Sequence, residues 1–148
     1  MFRGQFVHSI DAKGRTSLPA RFREALLDGG ARAFILTPAL FDPCLHLYPM
    51  RGWEEFENRI AALPRFDPHV VRLKRMYVSA AVECELDRTG RVLVPQPLRE
   101  RAELDKDVLW AGAGQLLELW SKARWEQAHA MTEPEQAEFK RRMEQLGI

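Results

Sequence analysis

Residues 11–15 read Asp-Ala-Lys-Gly-Arg, and residues 87–91 read Asp-Arg-Thr-Gly-Arg. An acid, a glycine and an arginine at this spacing suit a tight turn. Asp at its first position can accept from a backbone N–H two residues on, and Gly at the fourth can take the positive φ of a following bulge. The arginine is then held beside a hairpin tip, where its planar fork matches a phosphate or a guanine edge. The alternative is that Asp and Arg simply pair across the turn. A second chemistry is a carboxylate dyad built from Asp11 and Asp87, which would need both groups a few Å apart in a desolvated cleft. Placement in tight turns beside arginines points instead to exposure and paired charge. The chain contains no Gly-x-Ser-x-Gly, His-Glu-x-x-His or phosphate-loop motif, and an enzyme is not expected.

The charge supports a polyanion as the partner, although the net value of +1 conceals it. Residues 1–25 carry Arg3, Lys13, Arg15, Arg21 and Arg23 against Asp11 and Glu24. Residues 87–101 carry Arg88, Arg91, Arg99 and Arg101 against Asp87 and Glu100. The stretch 118–148 has five basic and six acidic residues. Two basic lobes beside an acidic remainder are the footprint of phosphate contact. At 46% hydrophobic and 29% charged the composition is that of an ordinary globular protein, and no apolar run approaches a membrane span. The N-terminus lacks a signal-peptide core, so a cytoplasmic location is expected.

Cys44 and Cys84 form no Cys-x-x-Cys pair, which fits a reducing compartment. Cys44 and His46 alternate on one strand face, and the repeat described next sets His8 against Cys84. Those four side chains could build a zinc site, but thiols and histidines on half-buried strands are ordinarily packed there. No metal and no cofactor is expected.

The chain is a duplication. Aligning Asp11 with Asp87 also aligns Ile10 with Leu86, Gly14 with Gly90, Arg15 with Arg91, Pro19 with Pro95, Arg23 with Arg99 and Glu24 with Glu100. Further on, Leu45, Leu47 and Trp53 match Leu117, Leu119 and Trp125, and the offset falls from 76 to 72, as if one loop were four residues shorter. Alternation and β-branched or aromatic content predict strands at QFVHSI, RTSL, AFILT and CLHLY, then at VECEL, RVLV, DVLWA and LLELW. Pro19 and Pro95 stop the second strand of each copy and suit the opening of a helix, ARFREALL or the weaker PLRERAEL. Trp53, Phe56, Ile60 and Leu63 recur at helical spacing up to Pro64, and Val70, Leu73 and Tyr77 share a face within 67–79. Thr132 to Glu135 is a capping box that starts a last helix with Phe139, Met143 and Leu146 as its apolar seam and Gly147 at its end.

Taken together, MFRG at the start, DAKGR-x-SLP-x-R, an LYP-x-x-x-WE stretch and DRTGR-x-LVP resemble the MraZ family, within the AbrB-like (SpoVT-AbrB) swapped-hairpin proteins. The match runs in order over residues 1–125 and is weakest beyond. The resemblance implies an α+β fold: two tandem AbrB-like swapped-hairpin β repeats forming one pseudo-twofold β-barrel, flanked by α-helices. The expected division is a first repeat at 5–51, connecting helices at 52–79, a second repeat at 80–123 and a helical segment at 124–148. It implies a bacterial, nucleoid-associated transcriptional regulator that binds short direct repeats in double-stranded promoter DNA and represses the division and cell-wall operon. It also implies a homo-oligomeric ring, with no membrane and no small-molecule substrate. By position Arg15 and Arg91 match the family's DNA-contacting arginines, with Lys13 and Arg88 beside them, and the lobe cations Arg3 and Arg21 complete the expected DNA-binding set. The tips differ, Ala-Lys against Arg-Thr, so the two hairpins need not read bases equally. The rival to this reading is an antitoxin-like or scaffolding module whose basic patches hold an acidic protein.

Overall fold

The computed structural model describes residues 1–27 and 30–148. Among these residues eight strands and six α-helices build a mixed α+β fold. The first copy contributes β1 (Gln5–Ser9), β2 (Arg15–Ser17), α1 (Ala20–Leu26), β3 (Ala33–Pro38) and β4 (Cys44–Pro49). Then come α2 (Met50–Ala61), α3 (Pro68–Leu73) and a π-helical turn at Lys74–Val78. The second copy supplies β5 (Val82–Glu85), β6 (Arg91–Leu93), α4 (Gln96–Arg101), β7 (Asp107–Gly112) and β8 (Leu117–Ser121). Helices α5 (Lys122–His129) and α6 (Glu133–Leu146) close the chain.

Six strands form one antiparallel sheet in the order β1-β7-β8-β4-β3-β5, and β2 pairs with β6 in a separate two-stranded ribbon. The copies are exchanged. β1 of the first pairs with β7 of the second, while β5 of the second pairs with β3 of the first. Each edge strand runs through an Asp-x-x-Gly-Arg tip into the ribbon, so the ribbon spans from one edge of the sheet to the other. The pairs Arg15–Leu93, Thr16–Val92 and Ser17–Arg91 map onto one another when the copies are swapped, which sets the local twofold at Thr16–Val92.

Alternation along the strands divides the apolar residues. Phe34, Leu36, Leu45, Leu47, Val108, Trp110, Leu117 and Leu119 face inward and meet Leu18, Phe22, Leu26, Val92, Val94 and Leu98 from the ribbon and the short helices. The outer sheet face carries two smaller clusters. Ile35 packs under Trp53 and Tyr77, and Cys44, Leu109 and Trp120 pack under Trp125. The amphipathic helices after the first copy therefore cover their own sheet through Trp53 and Tyr77, Ile60 and Val70 are buried as well, and Leu63 lies exposed beyond the end of α2.

Two details differ from the sequence expectation. Pro19 and Pro95 sit at the N-caps rather than inside the first turns. The register also divides the shortening of the second copy: His8 faces Val108 where Cys84 faces Phe34, so β3 and β7 stand at an offset of 74. Two residues are lost before β7 and two after it. The C-terminal helix has the expected capping box at Thr132 and a left-handed Gly147, with Phe139 and Leu146 exposed.

Candidate nucleic-acid interface

Each tip is built by its own aspartate. Asp11 Oδ1 accepts from the backbone N–H of Lys13 at 3.0 Å and of Arg15 at 2.9 Å, and Asp87 Oδ1 accepts from Thr89 and Arg91, both at 2.9 Å. The Thr89 hydroxyl adds a further donor at 2.9 Å. Gly14 N–H donates to the Asp11 carbonyl at 2.9 Å and Gly90 N–H to that of Asp87 at 3.0 Å, with φ of +90° and +78° at the two glycines. The backbone donors around the carboxylates, with the arginines beside them, hold both acids below the usual carboxylate range.

The arginines do pair with these acids, but only through one nitrogen. Arg15 Nε donates to Asp11 Oδ2 and Arg91 Nε to Asp87 Oδ2, each at 2.7 Å. Among the described residues the terminal nitrogens of both guanidinium groups make no hydrogen bond, and each side chain keeps 34% of its surface exposed. The aspartate thus aims the fork without consuming it. Arg15, Ser17, Arg91 and Leu93 share one face of the ribbon, while Thr16 and Val92 on the other face are 1% and 0% exposed. Arg15 and Arg91 occupy diagonal positions, roughly 7–8 Å apart at the backbone. Because β2 and β6 run antiparallel, the tips stand at opposite ends of the ribbon and draw the two forks outward.

Sequence reasoning missed the partners of these tips. Arg23 Nε donates to the Leu18 carbonyl, and Arg99 Nη1 to that of Val94, both at 3.2 Å. These bonds lay the Arg99 guanidinium over Gly14 and the Arg23 guanidinium over Gly90, so each copy covers the other's tip. Their alignment at one repeat position was the available signal. The clasp adds a third cation to each tip, beside Lys13 and Arg15 or beside Arg88 and Arg91. Lys13 and Arg88 are exposed in the turns themselves.

Arg3 and Arg21 stand elsewhere. Arg3 precedes β1 at the end that faces Gly112, and the backbone between it and Asp11 is extended over about 25 Å. It lines a small cavity with Arg21, Phe2 and Phe22. The dyad geometry is absent as well, since Asp11 and Asp87 are each exposed and engaged within their own turns. His8 and Cys84 lie on β1 and β5, the two edges of the six-stranded sheet, so they do not join Cys44 and His46 on β4.

A family model described as "MraZ protein, putative antitoxin-like" matches the chain twice, over residues 1–76 and 77–146. The chain belongs to the MraZ family. It is 44% identical over 148 residues to a "Transcriptional regulator MraZ" of Desulfitobacterium hafniense, covering the whole of both chains. Proteins of that name from Moorella thermoacetica and Thiobacillus denitrificans are 47% and 46% identical, over 86% and 85% of this chain and 85% and 84% of their own lengths. The double match follows the duplication, and its two spans each contain one Asp-x-x-Gly-Arg tip.

Proposed function

We propose that the protein is a DNA-binding transcriptional regulator that reads promoter DNA through the β2–β6 ribbon. The observation that carries this reading is the pair of arginines on one ribbon face, each tied to its aspartate by Nε and free at its terminal nitrogens. The B-DNA major groove is about 12 Å wide and admits a two-stranded β-ribbon, and an arginine fork bonds guanine O6 and N7. The tip glycines lie four ribbon positions apart, or about 13 Å along the strands, so the ribbon fits the groove lengthwise or across it. Lys13, Arg88, Arg23 and Arg99 flank it and serve the phosphates.

The finer reading is repression of the operon for division and cell-wall synthesis that encodes the protein, through short direct repeats. Two tips neutralise few phosphates at physiological salt, so repeated tips on an oligomeric ring, bound to repeated boxes, raise the effective concentration. The exposed Phe139 and Leu146 on α6 are the proposed ring contacts, and a cytoplasmic, nucleoid-associated location follows from the same role. Repeats at 5–51 and 80–123, with helices at 52–79 and 124–148, are the working division of the chain.

The test is titration against the protein's own upstream DNA and a scrambled duplex at two salt concentrations, for wild type and for Arg15→Ala/Arg91→Ala. Specific binding that weakens with salt and disappears in the double variant is the expected result. Equal affinity for both duplexes, or binding unchanged in the variant, refutes the proposal.

A further inference from the structure

On the outer sheet face, β4 and β8 bring three ligating side chains together, one strand from each copy. Cys44 lies opposite Trp120 and His46 opposite Glu118. The Cys44 Sγ, one His46 ring nitrogen and one Glu118 oxygen all lie within 4.8 Å of one another. We propose that Cys44, His46 and Glu118 form a binding site for a borderline-soft divalent transition metal of the zinc type, with water in the fourth position.

The geometry is close to what such an ion requires. Zinc bonds of about 2.0–2.2 Å to nitrogen and oxygen in a tetrahedron put the two donors about 3.4 Å apart. His46 Nε2 and Glu118 Oε1 are 3.7 Å apart. A thiolate ligand should stand about 3.6 Å from the nitrogen, so small side-chain rotations complete the set. The donor chemistry, one sulfur, one imidazole and one carboxylate, selects zinc-like ions over calcium or magnesium, which take oxygen alone.

The surroundings orient these donors. His46 Nδ1 lies 2.7 Å from the Tyr77 hydroxyl, which lies 2.8 Å from that of Tyr48. With Nδ1–H donating to Tyr77, the lone pair of Nε2 points to the site, the arrangement that metal-bound histidines ordinarily have. Tyr77 is carried by the π-helical turn, and its carbonyl accepts from Thr37 Oγ1 at 2.7 Å. Trp120 Nε1–H donates to Glu118 Oε2 at 2.9 Å, which holds the carboxylate and leaves Oε1 toward His46. Among the described residues the Cys44 thiol makes no hydrogen bond. Burial keeps His46 neutral and pushes the Cys44 thiol up, so the ion must displace the thiol proton to bind. Asp42 adds negative charge beside both groups. His46 and Glu118 keep 19% and 22% of their side-chain surface exposed, an entry path for the ion and room for the water.

The decisive experiment is titration of Co²⁺ into the reduced, metal-stripped full-length protein, followed by displacement with Zn²⁺. The expected result is a single equivalent per chain, with visible ligand-field bands of tetrahedral intensity and a near-ultraviolet thiolate-to-cobalt charge-transfer band. Cys44→Ser should abolish that band and Cys84→Ser should keep it. Tyr77→Phe, which only removes the orienting hydroxyl, should weaken binding about 10–100-fold. Absence of saturable binding to the wild type overturns the proposal, as does a charge-transfer band that survives Cys44→Ser. Since the wild-type titration decides alone, a poorly folded variant leaves the outcome readable.

Discussion

Replacing the tip glycines by alanine separates backbone strain from the crosswise packing of the copies. Gly14, Gly90 and Gly30 all have positive φ, at +90°, +78° and +78°. They differ in what a Cβ would meet. At Gly30 none of the described residues lies within 4 Å, so Gly30→Ala costs only the left-handed backbone, about 1 kcal/mol. At Gly90 the Cβ meets the Arg23 guanidinium at 2.5 Å, a flexible group that can swing away at the loss of its bond to the Leu18 carbonyl. One hydrogen bond on top of the backbone term brings Gly90→Ala to about 2 kcal/mol. At Gly14 the Cβ meets not only Arg99 but the Val94 carbonyl at 2.6 Å. That backbone group cannot retreat without disturbing the Val94 N–H bond to the Gly14 carbonyl, made at 2.8 Å. Gly14→Ala should therefore cost about 3 kcal/mol or more. Urea unfolding at one fixed protein concentration reads the series, because a midpoint that moves at constant slope reports stability. A Gly14→Ala protein no less stable than Gly30→Ala would refute the claim that the second copy closes over the first tip.

Other outcomes follow from the ribbon and its tips. Among the described residues Thr16 Oγ1 is buried without a hydrogen-bond partner, and its twin is Val92, so Thr16→Val should stabilise by about 1 kcal/mol in the same unfolding assay. If Arg15 or Arg91 reads a guanine, its replacement by Ala should cost about 1–3 kcal/mol of specific binding; if it holds a phosphate, the salt slope should instead fall by about 1. A salt series on matched and scrambled duplexes separates these. Asp11 and Asp87 have folded pKa values below the ordinary carboxylate value, so their stabilisation is complete above that value and is lost as pH falls through the folded one. His46, also lowered, adds a decline that begins near its ordinary 6.5. Melting temperature against pH should show both limbs, and Asp11→Asn/Asp87→Asn should flatten only the lower one. Leu93, 56% exposed on the ribbon face, should lose affinity as Leu93→Ser at boxes carrying a thymine methyl nearby, but not at boxes lacking one.

The tips could be read from sequence because their chemistry is local. Asp, Gly and Arg act within five residues, and every bond from Asp11 or Asp87 stays inside its turn. The strands were legible for a similar reason, as period-two alternation survives any topology. What could not be read depends on register between distant strands. Glu118 reaches His46 only because β8 pairs with β4 in the register that sets His46 opposite Glu118 and Cys44 opposite Trp120. Arg99 covers Gly14 only because β2 and β6 cross at the twofold. Arg3 looked like a tip cation by nearness in sequence, yet an extended strand carries it to the other end of the sheet. The division of the shortened loop into two parts was hidden by the absence of matching letters across β3 and β7.

Fusing the two copies in one chain has a physical consequence that an identical dimer could not have. A true twofold requires the same residue at equivalent positions of the two strands, 15 with 91, 16 with 92 and 17 with 93. Here Thr16 meets Val92, and Ser17 stands where the other half presents Leu93. On the buried face the difference leaves one hydroxyl unpaired, a small cost in stability with no evident gain in packing. On the exposed face it sets a hydroxyl beside Arg91 and an isobutyl group beside Arg15, so the two halves offer different chemistry to whatever lies against them. A symmetric reader suits a palindrome. A ribbon with one polar and one apolar half suits a site with a direction, which is the property that the proposed direct repeats and proposed oligomer would need of it.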